Sequence, residues 1–210
     1  MNAILNDLVQ RYPTLSACAS DIQTALDVLI ETFAGGGKLL LCGNGGSAAD
    51  CDHIVGELMK SFLLKRPLPR EHREALSRGG DSRLAELLQC GFPCVAMTAH
   101  AALNSAVAND VAADLVFAQQ AYSLGRLGDA LLGLSTSGNS SNVVNAFKVA
   151  RAVGVRTIAV TGQGGGALAV LADVAIRVPA SCTPAVQELH LPVYHALCAA
   201  VEAHFFADRN

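Results

Sequence analysis

The stretch LLLCGNGGSAADCDHIVGE, from Leu39 to Glu57, decides how the rest of the chain is read. Its opening LLLC is a short apolar run, the pattern of a strand covered by helices on both faces, where no side is left for water. Gly43 to Ser47 then form a glycine-rich turn, and the residues that follow read as a helix. Strand, turn and helix in that order make half of a βαβ unit. Small residues let a ligand approach the backbone closely, and the helix amino terminus presents N–H groups without partners, so an anion suits this place. Taken alone, the turn is equally explained by tight strand-to-helix packing.

Working outward, strands are expected at residues 38–42, 92–97, 129–134, 156–160 and 174–178. Helices are expected at 3–12, 21–33, 47–62, 101–107, 111–124 and 143–153, with a short one after TGQGGG and a last one from Thr183 to about 206. Ser20 is the expected N-cap of the second helix, with Gly35 to Gly37 as its stop, and Thr183, followed by Pro184, is the expected N-cap of the last. Pro192 removes a backbone donor inside that last helix and is expected to kink it. Residues 65–91, broken by Pro67, Pro69 and Gly79-Gly80, read as a surface excursion with one amphipathic turn near Arg83 to Leu88. Alternating strands and helices predict an α/β fold: a doubly wound parallel sheet, in a single domain over 1–210. The helices of 1–36 present an apolar face before any sheet exists, which suggests packing between subunits.

Composition supports this and excludes other classes. The chain has 210 residues, 51% of them hydrophobic and 16% charged, enough for one buried core without staples. No run approaches the roughly 18 apolar residues of a membrane span, and MNAILNDLVQRYP lacks the basic-then-apolar profile of a signal peptide, so a cytoplasmic protein with no membrane partner is expected. Seven cysteines, an odd number without CxxC spacing, read as reduced and mostly buried thiols. A net charge of -3 and a pI near 6.0 argue against a nucleic-acid surface, which needs a basic stripe.

A second turn, STSGNS from Ser135 to Ser140, lies after another predicted strand. Five of its six side chains carry a hydroxyl or amide, more than capping one helix requires. Open α/β sheets place ligands at the carboxyl ends of strands, so the two turns together point to a phosphate cradle. The first turn also matches a dinucleotide fingerprint loosely, but no acidic residue closes a second strand about 20 residues on, which demotes a nicotinamide cofactor. His53 and Glu57 share one face of the helix after the first turn, a spacing that suits a metal or a base with its orienter; alone it is also an ordinary exposed pair. The last helix carries Gln187, Glu188, His190 and His195 in an apolar segment, and His190 reads as a core or interface histidine with its hydrogen bonds satisfied.

CGNGGSAADCDHIVGEL, LLGLSTSGNSSNVVNAF, TIAVTGQGGGALAVLADVAIRVP and VQELHLPVYH together resemble the sugar isomerase (SIS) domains, and within them the bacterial phosphoheptose isomerases. The resemblance runs over most of the chain from Ala25. It implies a flavodoxin-like sandwich and a zinc ion (Zn2+) held by His53, Glu57, Gln187 and His195. It further implies that Glu57 is the general base, with His195 the partnering acid, moving a proton between C1 and C2 through an enediol. Asn44, Gly45, Gly46, Ser47, Ser135, Thr136, Ser137 and Ser140 would hold the sugar phosphate, with Gln187, Asn109 and Asp110 near it.

The implied reaction is ketose–aldose isomerisation of a phosphorylated sugar, with sedoheptulose 7-phosphate giving glycero-manno-heptose 7-phosphate, in a homotetramer. Two alternatives are a non-catalytic SIS module that binds a sugar phosphate or a protein, and a related isomerase for another sugar. The chain departs from the family at Lys60-Ser61, near a usual arginine, and at Pro184, in place of a usual aspartate; both bear on substrate positioning.

Overall fold

The computed structural model describes residues 2–207. Five strands, β1 (Leu39–Cys42), β2 (Cys94–Ala96), β3 (Ala130–Ser135), β4 (Arg156–Gly162) and β5 (Val174–Val178), form one sheet in the order β2-β1-β3-β4-β5, with every pair parallel. Leu39 and Leu41 face one apolar cluster, while Leu40 and Cys42 face the other, as a period of two requires of a strand with helices on both sides. The first face is covered by α1 (Ala3–Arg11), α2 (Ala19–Ala34), α3 (Gly46–Met59) and α10 (Thr183–Phe206), and the second by α6 (Ala101–Asp110), α7 (Val116–Leu124), α8 (Ser141–Ala152) and α9 (Gly166–Leu171).

The chain leaves β1 toward β2 on one side and then crosses back to β3 on the other. The winding therefore reverses between β1 and β3, and that is where an open α/β sheet forms its ligand crevice. Cys42 pairs in register with Gly133, so the turns after β1 and β3 emerge side by side. The fold thus brings together two loops about ninety residues apart in sequence.

Several boundaries differ from the expected ones, each for a local reason. Residues 65–91 hold two helices, α4 (Arg70–Arg78) and α5 (Ser82–Leu87), closed at the base by a bridge between Pro67 and Gln89. Pro69 is the N-cap of α4 and Gly79 its C-cap, so these residues bracket a helix that the sequence reading took as broken chain. Ser20 is not the N-cap of α2: a 3-10 turn over Pro13–Cys18 feeds the helix directly and Cys18 takes that position. Cys182 likewise takes the place expected for Thr183, which is the first residue of α10. That helix runs as one element through Pro192. Expected helix 111–124 begins as a 3-10 turn and becomes α7 only at Val116, while β4 runs on to Gly162.

The α3 helix stops at Met59, three residues early, where Lys60 turns to φ −133° and ψ 176°. The cause is Glu202 on α10. Its carboxylate accepts the amides of Phe62, Leu63 and Leu64 at 2.8, 2.7 and 3.0 Å and the Arg66 Nε at 2.6 Å. These bonds pull the chain off the α3 axis. Burial by itself would raise the Glu202 carboxyl, but the Phe62 and Leu63 amides and Arg66 outweigh it and hold it below the usual range. Arg66, also fully buried, donates to the carbonyls of Leu58 and Glu57, which pins the carboxyl end of α3.

Leu5, Leu8, Ile22, Leu26 and Leu29 are buried in this chain's own core, so the apolar faces of α1 and α2 do not by themselves require another subunit. All seven cysteines are free thiols, five of them buried. No helix among the described residues is long and apolar enough to cross a membrane.

Candidate active site

The first loop turns on Gly45, whose φ of +56° lies where a side chain is strained, and which is the N-cap of α3. A Cβ added at Gly46 would meet the Gln187 amide at 2.7 Å, so Gln187 of α10 rests directly against this loop. Ser47 is buried in the first turn of α3, while Asn44 and Gly45 are exposed at the rim.

The second loop turns on Gly138, at φ +68°, which packs against the backbone of Gly165. Ser135, the buried last residue of β3, has its hydroxyl 2.9 Å from that of Ser140. Ser140 is the N-cap of α8 yet makes no side-chain capping bond, so its hydroxyl is not used to close the helix. Ser137 Oγ accepts the Asn139 amide at 3.2 Å, and the Thr136 carbonyl accepts the Gly162 amide at 3.0 Å, which ties the loop to β4. Hydroxyls and helix amino termini gathered at one edge suit a phosphate dianion.

Asn142 joins the loops. Its side chain and that of Asn44 exchange two hydrogen bonds, at 3.0 and 2.8 Å, across 98 residues of sequence. It was not among the expected site residues, and only its place at the end of the STSGNSSN run hinted at it.

About two turns along α3, His53 and Glu57 meet His195 of α10. His53 Nε2 lies 3.3 Å from Glu57 Oε1 and 3.3 Å from His195 Nε2. Two ligands at about 2.0–2.1 Å from one zinc ion, at tetrahedral angles, stand about 3.3–3.4 Å apart, so both spacings match edges of such a site. Among the described residues no group of three or more His, Cys, Asp or Glu side chains is already set around a shared metal position; the donors converge pairwise on His53 instead. The imidazole and carboxylate donor types fit zinc, while the Gln187 amide rests against Gly46.

The other oxygen of Glu57, Oε2, faces Lys60 Nζ at 3.4 Å, leaving the carboxylate with two differently placed oxygens. Burial and then the neighbouring His53 lower the His195 imidazole below its ordinary value.

On its far side, His53 Nδ1 lies 3.1 Å from the Tyr194 hydroxyl, which donates to Asp50 Oδ1 at 3.1 Å. Burial and the Asp50 carboxylate push the Tyr194 phenol well above its usual range, so it stays protonated. Tyr194 and Asp50 were not expected as site residues: a tyrosine inside an apolar helix reads as core.

Asn109 and Asp110 lie at the exposed carboxyl end of α6, where Asn109 Nδ2 donates to Asp110 Oδ1 at 2.8 Å. Among the described residues no side-chain hydrogen bond connects this pair to either loop. His190 is fully buried as expected of a core histidine, but beyond the Thr161 backbone its ring nitrogens find no hydrogen-bond partner among the described residues, so the expected satisfaction is met only in part. It packs beside the Thr161 backbone, and desolvation lowers its pKa to about 4.

A doubly wound sheet with two hydroxyl-rich loops at its winding reversal defines an α/β protein with a crevice suited to an anion, and comparison with known proteins places it in a family. The SIS domain model matches residues 6–89 and 73–162. The chain is 37% identical to the phosphoheptose isomerase of Akkermansia muciniphila over 205 residues, 98% of this chain and 96% of that one. It is 40% identical to that of Rhodospirillum rubrum over 189 residues, 90% and 88% of the two. The solved phosphoheptose isomerase of Neisseria gonorrhoeae superposes with a TM-score of 0.75 at 31% identity, covering 94% of each chain. The chain belongs to the SIS domain family, in its phosphoheptose isomerase branch.

Proposed function

We propose that this enzyme, an aldose–ketose isomerase by family, converts sedoheptulose 7-phosphate to glycero-manno-heptose 7-phosphate with zinc as its cofactor. The observation that carries the reading is the meeting of His53, Glu57 and His195 where α10 packs on α3, the helix that starts at the first loop. Hydroxyls of Ser47, Ser135, Thr136, Ser137 and Ser140 and the backbone of Asn44, Gly45 and Gly46 hold the phosphate; Gln187 holds the sugar beside them. Asn109 and Asp110 address sugar hydroxyls.

Glu57 removes the proton from C1 of the ketose; the released electron pair forms the C1–C2 double bond while the C2=O π pair moves to O2, giving an enediolate that becomes the enediol on protonation at O2. The proton then returns to C2, while His195 moves a proton from O1 to O2 so that the aldehyde forms at C1. His53, Glu57, Gln187 and His195 would hold a zinc ion, which when bound acidifies the proton next to the carbonyl and stabilises negative charge. One Glu57 oxygen suffices for the metal, leaving the other for the substrate proton.

A homotetramer whose sites draw on neighbouring subunits is part of the same reading. An open cleft of about 500 Å3 lies beside His195, bordered by Ile4, Asp7 and Arg11 of α1 and by Phe62 and Leu63, and is where a neighbouring subunit would complete the site on this reading. The test is a panel of ketose phosphates of five to seven carbons offered to zinc-loaded protein. Aldose formation only from the heptulose supports the reading; turnover of a shorter sugar alone reassigns the substrate, and no turnover with any overturns the isomerase.

A further inference from the structure

We propose that Asp50 and Tyr194 act as positioning residues that fix the tautomer and orientation of His53, presenting its Nε2 lone pair to the metal position; the inference rests on the zinc reading above.

The direction of each hydrogen bond follows from chemistry. An ionised carboxylate only accepts, so the Tyr194 hydroxyl gives its single hydrogen to Asp50 Oδ1, 3.1 Å away. Toward His53 Nδ1, also at 3.1 Å, the phenol oxygen is then limited to accepting, so Nδ1 carries the hydrogen. A neutral imidazole has one N–H, so Nε2 keeps its lone pair toward His195 Nε2 and toward Glu57 Oε1, whose carboxylate favours the opposite tautomer and is the competitor that the Tyr194 and Asp50 relay outweighs.

The helices set this arrangement. Asp50 and His53 are three residues apart on α3 and share a face. Tyr194 and His195 are consecutive on α10, and together they engage both nitrogens of one ring, the phenol on Nδ1 and the imidazole on Nε2. Tyr194 is 2% exposed and meets the His53 ring edge-on, with centroids 5.6 Å apart, so its hydroxyl is held by packing. Partners behind a ligating histidine commonly set metal affinity in this way.

The test compares wild type with Tyr194→Phe and Asp50→Asn by two readouts. In metal-free protein labelled with nitrogen-15, at alkaline pH, wild type shows the proton on Nδ1. Both variants divide it between the nitrogens. Zinc affinity by chelator competition falls about 10–100-fold in each variant. Asp50→Asn lies at the half-exposed end of the relay and keeps the measurement available if the buried Tyr194→Phe fails to fold. A wild-type proton on Nε2, or an unchanged tautomer in the folded variants, overturns the relay. Wild type that binds no zinc overturns the metal reading instead, and the nitrogen shifts still decide the relay.

Discussion

His53 Nε2 and His195 Nε2 stand 3.3 Å apart, one on α3 and one on α10, 142 residues distant in sequence. Two imidazole nitrogens at that spacing share either one hydrogen or one metal ion. On the metal reading, chelation abolishes turnover and added zinc restores it, while His195→Ala weakens zinc binding at least 10-fold. Metal content by elemental analysis checks both, and full activity in metal-free protein would count against the site.

The serine loops should govern substrate affinity. Ser140 contributes a hydroxyl that caps nothing, so Ser140→Ala removes a donor without unfolding α8. A hydrogen bond to a charged group is worth about 1.5–3 kcal/mol, which predicts a KM for the sugar phosphate raised roughly 10–100-fold. Steady-state kinetics with an unchanged melting temperature is the expected result.

Asn142→Ala breaks both bonds to Asn44 and frees the two loops from each other. At about 1 kcal/mol for a neutral hydrogen bond, a several-fold rise in KM is expected, with kcat less affected. An unaltered KM would show that the loops hold their relation without this pair.

His190 makes stability depend on pH. Its folded pKa is about 4 against 6.5 in the unfolded chain, so the unfolded state binds the proton first as pH falls. The contribution is complete above pH 6.5 and is lost progressively down to about pH 4. The loss approaches roughly 3 kcal/mol, from about 1.4 kcal/mol per pKa unit. Urea unfolding across that range measures it. His190→Leu removes the titrating group and should flatten this part of the profile.

The Arg66–Glu202 pair carries the segment after α3, with both side chains fully buried at 2.6 Å. Glu202→Ala leaves a buried guanidinium and three amides uncompensated, and a loss of about 3–5 kcal/mol is expected. Urea or thermal unfolding checks the figure.

How much of this was legible in sequence depends on range. The strand runs and the GNGGS and STSGNS turns were readable because glycine and hydroxyl residues crowd directly after apolar strands. The α4 helix was not, because Pro69 and Gly79 occur as caps as readily as breaks, and only neighbouring structure tells which. The early stop of α3 depends on Glu202, more than 135 residues away, so no local pattern announces it. His53 and Glu57 were visible as a helical pair, and resemblance added Gln187 and His195. Tyr194 was hidden by its apolar surroundings, and its link to Asp50 exists only once α10 packs on α3.

The most direct measurement is aldose formation from sedoheptulose 7-phosphate by zinc-loaded wild type and by Glu57→Gln. The amide keeps the shape of the side chain but cannot take a proton. The account predicts steady turnover by wild type and a loss of about 100- to 10,000-fold in the variant, with binding of the sugar phosphate retained. Turnover by Glu57→Gln near the wild-type rate, or none by the wild type, would contradict it.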